Sequence, residues 1–326
     1  VVCIFLREFS KSMSKVASKL ASQAGHTSRS KERYPPVGRV QSRPDPVVPD
    51  WANIPLPDTR PDLWSGGPLG RLWRIVSHPF RQRQKVSLPD SLPGASAIPK
   101  YALLEFHHLP NGNYSSSLTR GYISGFDKAM LGEMGRTRSR IVRDIADCES
   151  VLDVGCGGGK LAGQLFHAGC RDIWGMDPSP YLLKHAAADY PKISFVQGIV
   201  ESIPFRDQRF DGVTITFVLH EIPPRYMRQG LAELTRVLKP GGTLIVAEPS
   251  PAHFRASFFE AIKRFGWRGA YFWTLARSVH EPYVRAWHGL NFAKEAKAHG
   301  FELDLVDEGM PIKYWLFRKS DSIVRS

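Results

Sequence analysis

From residue 150 onward, short apolar runs alternate with stretches in which apolar positions recur every three or four residues. The runs 150–154, 173–176, 193–197, 212–217 and 243–248 read as buried strands. Between them, the stretch opening at Lys160 and residues 180–188 and 226–238 read as helices. Strands without a polar face, interleaved with amphipathic helices, predict a parallel sheet covered on both sides. Residues 301–306 and 313–318, joined by a turn around Gly309 and Pro311, predict a closing antiparallel hairpin. Upstream, Ile123, Phe126, Met130, Ile141 and Ile145 have the spacing of helices, interrupted at Gly132 and Gly135. An aromatic, helical insertion over 254–287 separates the fifth strand from the hairpin. The expected fold class is α/β: a doubly wound, mostly parallel sheet ending in an antiparallel hairpin, with helices before the first strand.

The first hundred residues lack this pattern. Residues 1–33 are rich in Ser, Lys and Ala with only Glu8 and Glu32 as acids, a composition shared by organellar transit peptides and loose basic tails. Localisation is therefore open between the cytoplasm and an organelle matrix. Over 34–99 prolines recur, which removes backbone donors and blocks long helices. Within that segment, residues 69–80 (LGRLWRIVSHPF) are apolar and basic, and read as a short helix docking on the chain's own domain or on a membrane surface. The predicted organisation is a basic, Pro-rich, largely irregular extension over 1–100 followed by one domain over 101–326.

The net charge of +13 sits mostly in that extension, with 16 Lys and Arg against 7 Asp and Glu before Tyr101 and 28 against 24 from there on. The domain is close to balanced, which argues against nucleic acid as its partner. No run approaches the ~20 apolar residues of a membrane-spanning helix. Cys3, Cys148, Cys156 and Cys170 lack metal-ligand spacing and are too sparse for a disulfide framework, so no metal is expected and a reducing compartment fits.

The chemistry starts where the first strand ends. Val151-Leu152-Asp153-Val154-Gly155-Cys156-Gly157-Gly158-Gly159 places a strand acid before a glycine turn, and glycines let a backbone approach a ligand closely. The spacing is G-x-G-x-G, not the G-x-G-x-x-G of dinucleotide binders. Asp177, before Pro178, ends the second strand, where a carboxylate can accept from both hydroxyls of a ribose. Gly198-Ile199-Val200-Glu201-Ser202-Ile203-Pro204-Phe205 follows the third strand, and Leu238-Lys239-Pro240-Gly241-Gly242 leads into the fifth.

Taken in order, these segments resemble the class I S-adenosylmethionine-dependent methyltransferases, nearest in pattern to those acting on small molecules, quinones and lipids. The resemblance implies a Rossmann-like fold and S-adenosyl-L-methionine as cofactor. It sets Asp153, Gly155, Cys156, Gly157 and Gly159 beside the amino acid part, Asp177 and Pro178 at the ribose, and Ile199 and Val200 on the adenine, with Phe217 closing the fourth strand. The family pattern G-D-A-E-x-L-P-F carries an Asp for the adenine amino group where this chain has Ile199, which removes a polar contact.

Methyl transfer is an in-line displacement from a sulfonium, so the protein aligns the nucleophile and, where needed, takes a proton. After the fourth strand this chain has Phe217-Val218-Leu219-His220-Glu221 in place of the N-P-P-Y or D-P-P-Y of amino-group methyltransferases. His220, with an ordinary pKa of about 6.5, is the leading base towards a phenol or acidic carbon. Glu221 orients it or faces solvent, His280 brings a further polar group, and Glu248 is a secondary candidate. The aromatic insertion reads as a cover over an apolar acceptor or as a core helix pair. The expected function is methyl transfer to a small or lipid-like acceptor, quinones and other aromatics included. Two rivals stay open: a nucleic-acid methyltransferase holding phosphates with the basic arm, and an inactive methyltransferase fold kept for assembly, for which Ile199 speaks. The glycine spacing argues against a nicotinamide dehydrogenase.

Overall fold

The apolar runs become one sheet of seven strands in the order β3-β2-β1-β4-β5-β7-β6. The structure, a computed structural model, describes residues 44–57, 85–105, 112–279 and 281–321. The strands are β1 (Ser150–Val154), β2 (Asp172–Asp177), β3 (Ser194–Gln197), β4 (Phe210–Thr216), β5 (Leu238–Pro249), β6 (Phe301–Asp307) and β7 (Ile312–Lys319). The first five run parallel, and β7 is antiparallel to both β5 and β6. The chain winds outward from β1 in both directions, which opens a crevice at the carboxyl ends of β1 and β4.

Helices α1 (Ser116–Ala129), α2 (Glu133–Asp144), α3 (Lys160–His167), α4 (Pro180–Asp189) and α5 (Pro224–Val237) are followed by α6 (Ala252–Arg255), α7 (Phe258–Ser278), α8 (Val284–Gly289) and α9 (Phe292–Ala298). Adjacent strand residues face opposite sides. Leu152, Val213 and Val246 pack on Met227 and Leu231 of α5 and Phe292 of α9. Val151, Ile173 and Ile245 pack on Ile141 of α2, Leu165 of α3 and Phe272 of α7. Burial on both faces removes each of these side chains from water, worth about 1.5–3 kcal/mol apiece.

Local chemistry sets the helix ends. Ser179 accepts from the Leu182 amide ahead of Pro180 at the start of α4, and Ser257 and Glu260 form a reciprocal cap on α7. The break between α1 and α2 falls at Gly132, in the left-handed region, whereas Gly135 lies inside α2 and interrupts nothing. Gly266 (φ 62°, ψ −151°) reverses the chain inside α7. The rings of Phe258 and Trp273 stand 5.2 Å apart, whereas a straight helix would separate residues so spaced by about 22 Å. Residues 258–265 and 267–278 are thus two arms lying back to back.

The described parts of the Pro-rich segment, residues 44–57 and 85–99, carry little regular structure yet pack on the sheet and helices. Trp51 is buried, and its Nε1 donates to the Phe195 carbonyl at 2.9 Å. Arg209 ties Asp45 to Asp172 on β2, and Val86, Leu92 and Ile98 join Tyr114 and Tyr181 in a separate apolar cluster. A chain without regular structure still buries apolar area if the folded domain offers a partner surface. Residues 1–33 and 69–80, for which a basic leader or tail and a docking helix were expected, lie outside the described residues. Among the described residues no helix is long and apolar enough to cross a membrane, and Cys148, Cys156 and Cys170 are free thiols.

Candidate active site

The crevice holds a cavity of about 210 Å³. The turn after β1 is pinned to β2, because the amides of Gly155 and Cys156 both donate to the Met176 carbonyl, at 2.7 and 3.0 Å. Gly155 lies so close to Val218 that an added Cβ would sit 2.1 Å from its Cγ2. At Gly157 (φ 53°) an added Cβ would meet nothing within 4 Å, so the backbone there is an open cradle facing the cavity. Its amide donates to Asp177 Oδ2 at 3.0 Å, and the Ser179 amide to Oδ1 at 2.9 Å. Burial pushes the Asp177 carboxyl up to about 7 against the pull of these amides. Asp153, bonded by the Thr214 hydroxyl at 2.9 Å, is likewise pushed by burial to about 7.

Cys156, Pro178, Ile199 and Val200 also line this cavity. Burial pushes the Cys156 thiol well above 9, so it stays protonated and packs as a small apolar group. Gly159 is the exception among the expected cofactor residues: it does not line the cavity but caps α3 at φ 74°. Its positive φ, cheap only for glycine, lets the turn enter the helix.

A second wall, unread in the sequence, comes from α1, α2 and α3. Asp127 takes two hydrogen bonds from Arg138, at 3.0 and 2.8 Å, and one from Lys160 at 2.9 Å. Burial alone would raise its carboxyl, but these cations outweigh that and hold it below the usual range. Arg138 Nε is buried without a hydrogen-bond partner among the described residues. The only signal was the presence of charges within an apolar helical pattern.

Beyond Tyr122, Phe126 and Phe217, which line both, lies an apolar cavity of about 600 Å³. Phe217 ends β4 in the left-handed region (φ 58°), with its ring edge-on to Phe126 at 5.6 Å. The inner arm of α7 contributes Phe272 and Leu275, and the polar groups at this cavity include His253 and Glu281. Burial pushes His253 down to about 3, leaving it neutral, and its Nδ1 has no hydrogen-bond partner among the described residues.

His220 is fully buried and lines neither cavity. Its Nδ1 lies 2.5 Å from Glu248 Oε2, and its Nε2 lies 3.0 Å from Glu281 Oε2. Burial opposes its charge, yet Glu281 and Glu248 outweigh burial and hold the imidazole well above 6.5. The ring expected to act as a base on the acceptor thus faces two carboxylates and neither cavity. The carboxylate that reaches the apolar cavity is Glu281, brought in from the insertion. Glu221 lines the smaller cavity, and His280 lies outside the described residues. Glu248 also accepts from the amides of Val218 and Leu219, at 2.9 and 2.8 Å, and so organises the whole loop after β4. Ligand atoms of His220, Glu221 and Glu281 lie within 4.8 Å of one another, a grouping that can share a proton or chelate a divalent cation.

A strand acid, an open glycine turn and a carboxylate ending the second strand thus meet at the crevice of a doubly wound sheet. The family model described as a methyltransferase domain matches residues 152–246. A demethylmenaquinone methyltransferase of Renibacterium salmoninarum is 37% identical over 139 residues, covering 40% of this chain and 57% of the relative. One from Bacillus velezensis is 30% identical over 173 residues, 51% of this chain and 66% of the relative. An uncharacterized methyltransferase of Synechocystis is 36% identical over 104 residues, 32% of this chain and 49% of the relative. The chain thus spans about half the length of the curated relatives it matches. A crystal structure of an S-adenosylmethionine dependent methyltransferase from Mesorhizobium loti aligns at 18% identity with a TM-score of 0.40, covering 52% of this chain and 90% of that one.

Residues 152–246 thus form an S-adenosylmethionine-dependent methyltransferase domain, and the cofactor this family implies is S-adenosylmethionine. The residues present fit that group, with an open cradle at Gly157, an orphaned buried guanidinium nitrogen on Arg138, and a carboxylate at the end of β2.

Proposed function

We propose that this protein methylates an apolar, ring-bearing acceptor with an ionisable oxygen, a quinol or phenol of lipid-like character. S-adenosylmethionine, when bound, supplies an electrophilic methyl group. In this reading Asp177 accepts the ribose hydroxyls, Ile199 and Val200 pack on the adenine, and the backbone of residues 155–157 with Asp153 runs along the amino acid tail. Arg138 and Lys160 attract the tail's carboxylate.

The observation that carries the proposal is the shared wall: Tyr122, Phe126 and Phe217 belong to both a polar, acid-lined cavity and a larger apolar one. A donor in the first and an acceptor in the second meet there. Glu281 takes the acceptor's proton. His220, gripped by Glu248, aims Glu281, which makes it a positioning residue. Burial, with the carboxylates of Glu221, Glu281 and Asp177 nearby, pushes the Tyr122 phenol well above 10, so Tyr122 keeps its proton and serves as a donor. The orphaned Nδ1 of His253 offers a second polar contact, as a ring carrying two oxygens needs. Two of the relatives described above are demethylmenaquinone methyltransferases, which supports a quinone.

The test is incubation with methyl-labelled cofactor and a short-tailed naphthoquinol. Label is expected in the organic extract as methylated quinol. Label in RNA would move the protein to the nucleic-acid class. Saturable cofactor binding with no transfer to any component of a lipid and metabolite extract would leave an assembly role.

A further inference from the structure

The two arms of α7 have opposite surroundings. The inner arm, residues 267–278, turns Phe272, Leu275 and Ala276 onto the apolar cavity. The outer arm and the tip leave large apolar side chains in water, with Phe259 81% and Trp267 66% exposed and Phe258 and Ile262 each above a third. Phe259, Ile262 and Lys263 share one face of the outer arm, which runs into the turn at Gly266 and Trp267. Scattered exposed apolar residues are ordinary, but a contiguous aromatic patch beside a site marks a contact surface. Arg255, Lys263 and Arg264 stand exposed around it, while the nearby acid Glu260 is engaged in the helix cap with Ser257.

We propose that this hairpin docks on an anionic lipid bilayer. Phe259, Ile262 and Trp267 enter the boundary between headgroups and acyl chains, and Arg255, Lys263 and Arg264 meet lipid phosphates. Charge selects this occupant. Exposed cations flanking an apolar stripe complement an anionic surface, whereas a symmetric second copy would bring the same cations together. The inference rests on the lipid-like acceptor proposed above and says how such an acceptor reaches the site. From Trp267 at the tip to Phe272 in the cavity wall is one short step along the inner arm, about 8 Å.

The experiment sediments the full chain with phosphatidylcholine vesicles, with and without added phosphatidylglycerol. Binding is expected to the anionic vesicles and to weaken as salt is raised. The double substitution Phe259→Glu, Trp267→Glu should lower that binding about tenfold or more, with the thermal midpoint unchanged. It should slow methylation of a long-tailed quinol in vesicles but not of a short-tailed soluble one. Vesicle binding absent from protein that still methylates the soluble quinol overturns the docking and leaves the activity standing. Vesicle binding without transfer to either acceptor supports the docking and sinks the functional reading. Dimers that dissociate in the double variant, with no vesicle binding, would assign the patch to a second copy. A patch that binds vesicles only after residues 1–43 or 58–84 are removed would assign it to the chain's own extension. Either of these results overturns the proposal.

Discussion

Glu248 offers the sharpest test of the site's internal logic. It has no solvent exposure, accepts from the Val218 and Leu219 amides at 2.9 and 2.8 Å, and grips His220 Nδ1 at 2.5 Å. Glu248→Ala strands two buried amide donors, at about 1–3 kcal/mol each, and breaks a buried ion pair, which by itself is worth about 3–5 kcal/mol. The terms overlap, since the loop can relax once, so the expected loss is about 3–5 kcal/mol in denaturant unfolding followed by tryptophan fluorescence. Glu248→Gln keeps an oxygen for the two amides and a polar contact for the His220 ring, which Glu281 still neutralises, so it should lose less, about 1–3 kcal/mol.

The pH dependence of that loss has a definite sign. The folded pKa of His220 is raised above its unfolded value, so its contribution is fully present below about 6.5 and is lost as pH rises through the raised folded value. The stability gap between wild type and Glu248→Gln should therefore be constant in mild acid and narrow in alkali. Equal losses for Ala and Gln would show that the amides play no part. A gap that widens with pH would show that His220 is not held protonated.

Three further outcomes are expected. Gly157→Val places a branched side chain in the cradle at φ 53°; calorimetric affinity for S-adenosylmethionine should fall roughly a hundredfold or more while the backbone strain destabilises the fold by only about 1–2 kcal/mol, and unchanged affinity would put the cofactor elsewhere. Because burial raises Asp177 and Asp153 to about 7, the empty domain loses their contribution to stability as pH rises from their unfolded values, about 3.9, through 7. Ribose hydroxyls favour ionised Asp177, so cofactor affinity should strengthen across the same range and flatten in Asp177→Asn; a flat wild-type profile contradicts this. Glu281→Gln should lower kcat roughly 10²–10⁴-fold with cofactor affinity intact, and a chelator should leave wild-type turnover unchanged. Loss of turnover on chelation would assign His220, Glu221 and Glu281 to a cation.

What the sequence disclosed follows from how local each signal is. The parallel strands were visible because burial on both faces makes their composition nearly continuous, and Asp177 could be placed because it ends such a strand. The start of β5 at Leu238 was hidden, because the Lys-Pro-Gly-Gly turn joins the sheet through a register shift opposite Phe210. Trp51 needs the carbonyl of Phe195 to explain its burial, a partner that no local pattern reveals. His220 could be singled out from the loop after β4, but its two carboxylate partners, Glu248 and Glu281, come from other elements and carry no local signal. Gly266 looked like any glycine in a helical stretch, and only its backbone angles show that it folds the insertion back on itself.

Phe217 has a consequence for how such a protein can diversify. Its backbone is held in a conformation unfavourable to any side chain, and Glu248 fixes the loop just beyond it, so the ring is a stiff bulkhead between the two cavities it lines. A smaller residue there would join the two cavities, and a larger one would intrude on both at once. The α7 hairpin borders the apolar cavity and not the smaller one, so changes there reshape one cavity and leave the other untouched.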